Sequence, residues 1–160
     1  MSLNIPLCLE PPGIPVNPLE LSPHTRLVRF GFTPNPVTSN EPLEFDLEIE
    51  SARAMRIDEL AALIFDSLNR RVALIDLRYA GEILKTNGHE NLKLHVQLKQ
   101  LPLVDGEYRV SFWIRSDDVT RLQNDVVTLN VIAPVSQGDF VPYVAIARGI
   151  VELDYNVTRS

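Results

Sequence analysis

The sequence is poor in the residues that mark several common functional classes. It has one cysteine among 160 residues, Cys8, so no disulfide can form within the chain and the fold does not depend on an oxidising compartment. Lys and Arg number 15 against 21 Asp and Glu, a formal charge of −6, whereas nucleic-acid binding depends on clustered positive charge. No run approaches the roughly 18 apolar residues of a membrane-spanning helix. We therefore expect a cytoplasmic protein that does not bind nucleic acid.

Residues arranged for catalysis or metal binding are also missing. The seven glycines never form a phosphate-binding loop with a following Lys and Ser or Thr. The histidines His24, His89 and His95 are scattered, and with Cys8 they give no spacing suited to a tetrahedral metal site. No motif brings a serine to a histidine and an acid. The sequence predicts a protein that is not an enzyme and that holds no metal or cofactor in this chain.

The chain begins with a proline-rich stretch. Six of residues 1–23 are proline, a density that disfavours helix and central strand and predicts an extended linker or arm. Residues 24–160 are long enough for one domain with a real core. The run LEFDLEIE at 43–50 alternates strictly, with its acidic residues outward, and is a candidate sheet edge.

Short apolar runs divided by Pro, Gly and Asn turns complete a set of about eight strands. They are LVRFGF (27–32), a hairpin in which SLNRR joins ALIFD to VALID, LKLHVQL (92–98), EYRVSFWIR (107–115), VVTLNV (126–131) and IVELDY (150–155). Residues 81–91 carry an Asn-Gly turn signal, and residues 117–125 could hold one turn of helix. The pattern predicts an all-β, antiparallel β-sandwich of immunoglobulin-like or jelly-roll type.

The strand at 107–115 contains the feature that points to function. Its alternation places Tyr108, Val110, Phe112 and Ile114 in the core, and puts Trp113, the only tryptophan of the chain, on the polar face. If strands 92–98, 107–115 and 126–131 share one sheet, that face would also carry other hydrogen-bonding groups. These candidate carbohydrate-binding residues are Trp113, Arg109, Ser111, Arg115, His95 and Gln97.

Sugars suit such a face because their hydroxyls need fixed donors and acceptors while their C–H faces stack on aromatic rings. A competing interpretation is that a loop, the proline-rich arm or a partner subunit covers Trp113. Another is that the register is inverted and the ring belongs to the core.

The stretch LPLVDGEYRVSFWIRSDD…DVVTLNV, with ELAALIFDSLNRRVALIDLR before it and GIVELDYNV after it, resembles the C-terminal domain of Wzt-type proteins. Those proteins are the ATPase subunits of ABC transporters that export O-antigen polysaccharide. The resemblance spans roughly residues 27–157 and implies a β-sandwich that recognises the polysaccharide, commonly its modified non-reducing end. It also implies a homodimer and an ATPase site in a separate N-terminal domain. Residues 1–26 match nothing in the family.

Two hypotheses follow. In the first, the chain is a non-catalytic carbohydrate-binding domain for polysaccharide export, peripheral to the inner membrane through its transporter. In the second, it is a protein-interaction or dimerisation sandwich with no glycan ligand, in which the proline-rich arm swaps between subunits.

Overall fold

A computed structural model describes residues 18–78, 82–135 and 141–159. This part of the chain contains ten strands and one helical turn. The strands are β1 (Leu19–Ser22), β2 (Thr25–Thr33), β3 (Val37–Thr38), β4 (Leu43–Ser51), β5 (Ala54–Phe65), β6 (Arg71–Asp76), β7 (Leu84–Asn87), β8 (Leu92–Leu98), β9 (Gly106–Ser116) and β10 (Thr120–Ile132), and the helix is α1 (Ala145–Arg148). The predicted all-β fold is confirmed, with more strands than expected. Because α1 is a single turn, no helix in the described ranges could cross a membrane.

The strands form two sheets that pack face to face. The four-stranded sheet has the order β1-β2-β4-β8, and the six-stranded sheet has the order β3-β10-β9-β5-β6, with β7 also paired to β5. All pairings are antiparallel except the short parallel pairing of β3 with β10. The result is the predicted β-sandwich, and each sheet has one inner and one outer face.

Alternating inward residues of both sheets fill the core, as the sequence predicts. The inward residues of β4 and β9 are all buried. Phe30 on β2 contacts Phe45 on β4 with ring centroids 4.7 Å apart, and contacts Phe112 of the other sheet at 5.7 Å, both edge to face. Because Phe112 is fixed in this cluster, its neighbour Trp113 must point to the outer face of the six-stranded sheet.

The predicted turns are confirmed. In the hairpin between β5 and β6, the Asp66 carboxylate accepts hydrogen bonds from the backbone N–H groups of Leu68 at 3.0 Å and Arg70 at 2.9 Å. After β7, Gly88 adopts a φ of +80°, a left-handed conformation that glycine allows at no steric cost. This second turn does not close a hairpin, because β7 and β8 belong to different sheets.

The prediction that the acidic strand LEFDLEIE is a sheet edge is wrong. This strand, β4, lies between β2 and β8. Basic groups on both neighbours face its carboxylates: Arg29 on β2 lies 3.6 Å from Asp46, and Lys93 on β8 lies 3.7 Å from Glu48. Charge compensation across the strands lets an acidic row occupy the interior of a sheet.

Three other boundaries also differ from the prediction. Among the residues that the structure describes, the run IVELDY forms only an isolated bridge, from Val151 to Leu103. Residues 117–119 form a tight turn, closed by a 2.8 Å bond from the Ser116 N–H to the Val119 carbonyl, and Thr120 already belongs to β10. The end of the predicted proline-rich arm forms β1, paired to β2. Residues 1–17 of that arm lie outside the described residues.

Candidate functional site

The candidate site is a concave region of about 430 Å³ on the outer face of the six-stranded sheet. We call it the Trp113 groove. Its apolar lining includes Trp113, Ala61, Leu63, Leu74 and Leu122, and its polar groups are Glu59, Arg71, Asp76 and Arg78. These side chains come from the four adjacent strands β10, β9, β5 and β6 and from the residues that follow β6.

The strand register explains why the surface is concave. Trp113 on β9 lies opposite Leu122 on β10 and opposite Ala61 on β5, and Ala61 lies opposite Asp76 on β6. The single methyl group of Ala61 therefore lies between two larger side chains, and the row dips at that point. One step along the strands, Leu63 lies opposite Leu74 and extends the apolar floor.

Glu59 fixes the position of the indole. The Trp113 Nε1–H donates to Glu59 Oε2 at 2.7 Å, while Glu59 Oε1 lies 2.9 Å from the guanidinium of Arg115. The polar edge of the ring is thus satisfied within the protein, and the ring remains partly exposed in the groove. Trp113 lies on the outer face, as the alternation predicts. Whether it binds a ligand stays a prediction.

An ion pair forms one end of the groove. Arg78 donates to both carboxylate oxygens of Asp76, at 2.9 Å from Nε and 2.6 Å from Nη2. The side-chain hydrogen bonds from Arg78 lower the pKa of Asp76 to about 2, so this carboxylate is ionised near neutral pH. Arg71 also lines the groove, and among the described residues it has no carboxylate within ion-pair distance.

Two further predicted residues lie on the same outer face but outside the groove. Arg109 donates to Asn69 Oδ1 at 3.0 Å and lies 3.5 Å from the carboxylate of Asp125. Ser111 is buried, because three residues of β10 bulge over it and the Asp125 N–H donates to its hydroxyl at 3.3 Å. Ser111 is therefore covered by the protein itself, in contrast to the exposed hydroxyl that the alternation predicts.

The prediction that His95 and Gln97 share a sheet with Trp113 is wrong. They lie on β8 of the four-stranded sheet, whose outer face points away from the groove. His95 Nδ1 lies 2.8 Å from Asp46 Oδ1, a bond that raises the pKa of the imidazole. Alternation assigns a residue to a face of its own strand, but it does not say which strand lies beside it.

Most residues of the groove could not be predicted from the sequence. Three of them are apolar residues on an outer face, Ala61, Leu74 and Leu122. Apolar residues are common in strands, so nothing in the sequence marks these three until the fold places them near Trp113. Asp76 and Arg78 end the hairpin that the sequence predicted, so they could have been proposed only if β6 had been placed beside β5 and β9. No group of three or more His, Cys, Asp or Glu able to hold a metal ion occurs in the described ranges.

Fold and groove together define a β-sandwich that has a concave outer surface with one aromatic ring, Trp113, in its lining. Among solved structures, the crystal structure of the C-terminal domain of Wzt is similar, with a TM-score of 0.67 over 93% of this chain and 92% of that chain. The sequences are 15% identical, so the similarity concerns the fold. No protein-family model matches the chain, and no curated protein matches it either. The likeness that the sequence motifs indicated is confirmed at the level of structure.

Proposed function

We propose that this chain is a non-catalytic carbohydrate-binding domain that recognises O-antigen polysaccharide for export by an ABC transporter. The observation that carries the proposal is the partly exposed indole of Trp113, held by Glu59 in a concave surface. The likeness in fold to the C-terminal domain of Wzt supports the same class of function. The volume of about 430 Å³ falls within the range of roughly 300–1,000 Å³ that is typical of small-ligand sites.

The chemistry of the groove suits a sugar ring. The indole offers a flat apolar surface for the C–H face of the ring. At the far side of Ala61, Asp76 offers acceptor oxygens and Arg78 offers N–H donors beside the bonds that join the two residues. Arg71, opposite Phe65 at the other end of β6, offers further N–H donors to the groove. Carboxylate and guanidinium groups are planar and can each bond two neighbouring hydroxyls. A sugar lying on Trp113 would therefore find polar partners at its edge.

In this proposal the domain works at the cytoplasmic side of the inner membrane, attached to a transporter through its parent protein. The nucleotide-hydrolysing site belongs to a separate N-terminal domain. Arg109, Ser111 and Arg115 are not direct ligands in our revised assignment, since none of them lines the groove. Trp113 is retained from the predicted set, and Asp76, Arg78 and Arg71 are added to it.

Titration calorimetry with bacterial O-polysaccharides tests the proposal. Trp113→Ala should weaken binding by about 1 kcal/mol or more, roughly fivefold in Kd, because the stacking contact is lost. His95→Ala and Gln97→Ala are matched controls on the opposite face and should bind as tightly as the wild type. As Trp113 is the only tryptophan, its fluorescence should also change on addition of the polysaccharide. Equal binding by Trp113→Ala, or no binding of any O-polysaccharide, would refute the proposal.

A second candidate role, self-association, has its own support at the C-terminal end. Beyond Glu152, whose N–H donates to the Pro102 carbonyl at 3.0 Å, the chain pairs with no strand among the described residues, yet its residues alternate between apolar and polar. The apolar members Val151, Leu153, Tyr155 and Val157 are 52%, 69%, 73% and 84% exposed. An exposed row of this kind has the pattern of a strand that pairs with another chain. We propose that a second copy covers it, which gives the homodimer that the resemblance implies.

Sedimentation velocity tests this role. The triple change Leu153→Ser, Tyr155→Ser and Val157→Ser should shift the protein towards monomer, while Asp154→Asn with Asn156→Asp, on the polar side of the same segment, should leave the dimer intact. A wild-type protein that sediments as a monomer at all concentrations would contradict the proposal.

A further inference from the structure

The lining of the Trp113 groove is more apolar than polar. Leu74 and Leu122 are 53% and 44% exposed, and the buried Ala61 and Leu63 form the floor between Leu74 and the indole. The outer face of the four-stranded sheet provides the comparison. There the outward residues of β4 are all acidic, and ion pairs join them to both neighbouring strands.

The charges in the groove are largely neutralised by the protein. Asp76 is paired with Arg78, and Glu59 bonds both Arg115 and the indole N–H. One basic group, Arg71, is left without an ion pair among the described residues, and two carboxylates line the same groove. A strongly anionic ligand therefore gains little binding free energy from the charges of the groove, while an apolar substituent gains binding free energy from contact with leucine side chains.

Building on the proposed function, we propose that the sugar held in the Trp113 groove is a 6-deoxyhexose, with its C6 methyl group against Leu74. In such a sugar the C6 methyl group adjoins the C–H face of the pyranose ring, so the two make one continuous apolar surface. That surface matches the continuous lining of Trp113, Ala61, Leu63 and Leu74. A hydroxymethyl group in the same place would lose its hydration against Leu74 without gaining a polar partner from that side chain.

Pairs of methyl glycosides that differ only at C6 test the inference. L-Rhamnoside is compared with L-mannoside, and D-fucoside with D-galactoside and D-galacturonide, in titrations followed by Trp113 fluorescence. For the sugar configuration that binds, the 6-deoxy member should bind at least about fourfold more tightly than its hydroxymethyl partner, since burial of one methyl group is worth about that factor.

The variant Leu74→Asn separates this inference from a general preference. The asparagine side chain is nearly the same size as the leucine side chain and offers an amide to a C6 hydroxyl. The variant should therefore lose or reverse the preference for the 6-deoxy sugar. Leu68→Asn, at a 70% exposed leucine in the turn of the same hairpin, should leave the preference unchanged. Far-UV circular dichroism is the check that each variant is folded.

The outcomes distinguish the inference from the proposed function. Equal binding of the paired sugars, or tighter binding of the hydroxymethyl or uronide member, overturns the 6-deoxyhexose assignment; if Trp113→Ala still weakens binding of O-polysaccharide, the carbohydrate site itself stands. Absence of any response to the glycosides and to intact O-polysaccharides overturns both.

Discussion

Removal of the Glu59 carboxylate should release the indole of Trp113, and the effect can be measured as a coupling energy. Glu59 makes two contacts: its Oε2 accepts the indole N–H at 2.7 Å, and its Oε1 lies 2.9 Å from Arg115. The Arg115 and Glu59 side chains are 51% and 34% exposed, so solvent screens the ion pair. The indole is more shielded, since it lines the groove beside Leu122.

The magnitudes follow from these two environments. A hydrogen bond to a charged group contributes about 1.5–3 kcal/mol, and partial exposure places the indole bond near the lower end. The exposed ion pair adds about 0.2–1 kcal/mol. We therefore expect Glu59→Ala to lower the free energy of unfolding by about 2 kcal/mol. In a domain of this size, that corresponds to a fall in Tm of roughly 4–8 °C.

A double-mutant cycle isolates the indole bond. Trp113→Phe keeps an aromatic ring but lacks the N–H donor, so combining it with Glu59→Ala should reveal a coupling energy of about 1–1.5 kcal/mol. Urea unfolding followed by far-UV circular dichroism gives each free energy without relying on tryptophan emission. Arg115→Ala is the control for the ion pair and should cost no more than about 1 kcal/mol.

Additivity would refute this reasoning. If Glu59→Ala and Trp113→Phe combine within about 0.3 kcal/mol of the sum of their separate effects, Glu59 does not hold the indole. The wild-type indole would then be free to rotate, and the groove would not be preorganised for a ligand.

Three further changes test other parts of the molecule. Ala61→Leu should fill the floor of the groove and weaken O-polysaccharide binding by about tenfold or more in calorimetry, with far-UV circular dichroism as the check that the variant is folded; unchanged binding would exclude the floor from the site. Phe112→Ala should cost about 3–5 kcal/mol in urea unfolding, and a loss below about 1 kcal/mol would contradict its place in the core. Hydrogen bonds from the Ser22 and Thr25 hydroxyls, at 2.6 and 2.8 Å, lower the pKa of Asp118. This carboxylate therefore contributes stability above its ordinary pKa of 3.8, and the contribution is lost as the pH falls through the lowered value. In urea unfolding between pH 7 and 3, the free energy of unfolding should fall less in Asp118→Ala than in the wild type, and identical pH profiles would refute the contribution.

Short-range patterns in the sequence were sufficient for the fold class and for the orientation of Trp113. The alternation of β9 fixes four inward residues, and the buried Phe112 beside Trp113 leaves the indole no position in the core. The hairpin between β5 and β6 could also be predicted from the sequence, because local hydrogen bonds to Asp66 form its turn. Each of these features depends on residues within a few positions of one another.

Features that depend on pairing between distant strands could not be predicted. His95 alternates as expected, but its strand pairs with β4, nearly fifty residues earlier in the chain, and so it faces away from Trp113. The alternation of β9 predicts that Ser111 faces outward, but the residue is buried because a bulge in β10 covers it. The run IVELDY has the alternation of a strand, yet only Leu103 pairs with it in the described part of the chain.

The contrast between the two outer faces gives a physical reason to place ligand binding at Trp113. On the four-stranded sheet, a ligand would have to displace water from ion pairs such as Arg29 with Asp46 and Lys93 with Glu48, and desolvating paired charges costs more than a neutral hydroxyl returns. In the Trp113 groove the ion pair of Asp76 with Arg78 lies at one end, so a sugar on the indole meets it only at its edge. The exposed Leu74 contributes apolar surface whose removal from water is favourable. A neutral sugar with an apolar face should therefore bind to the six-stranded sheet even though the opposite face carries more hydrogen-bonding groups.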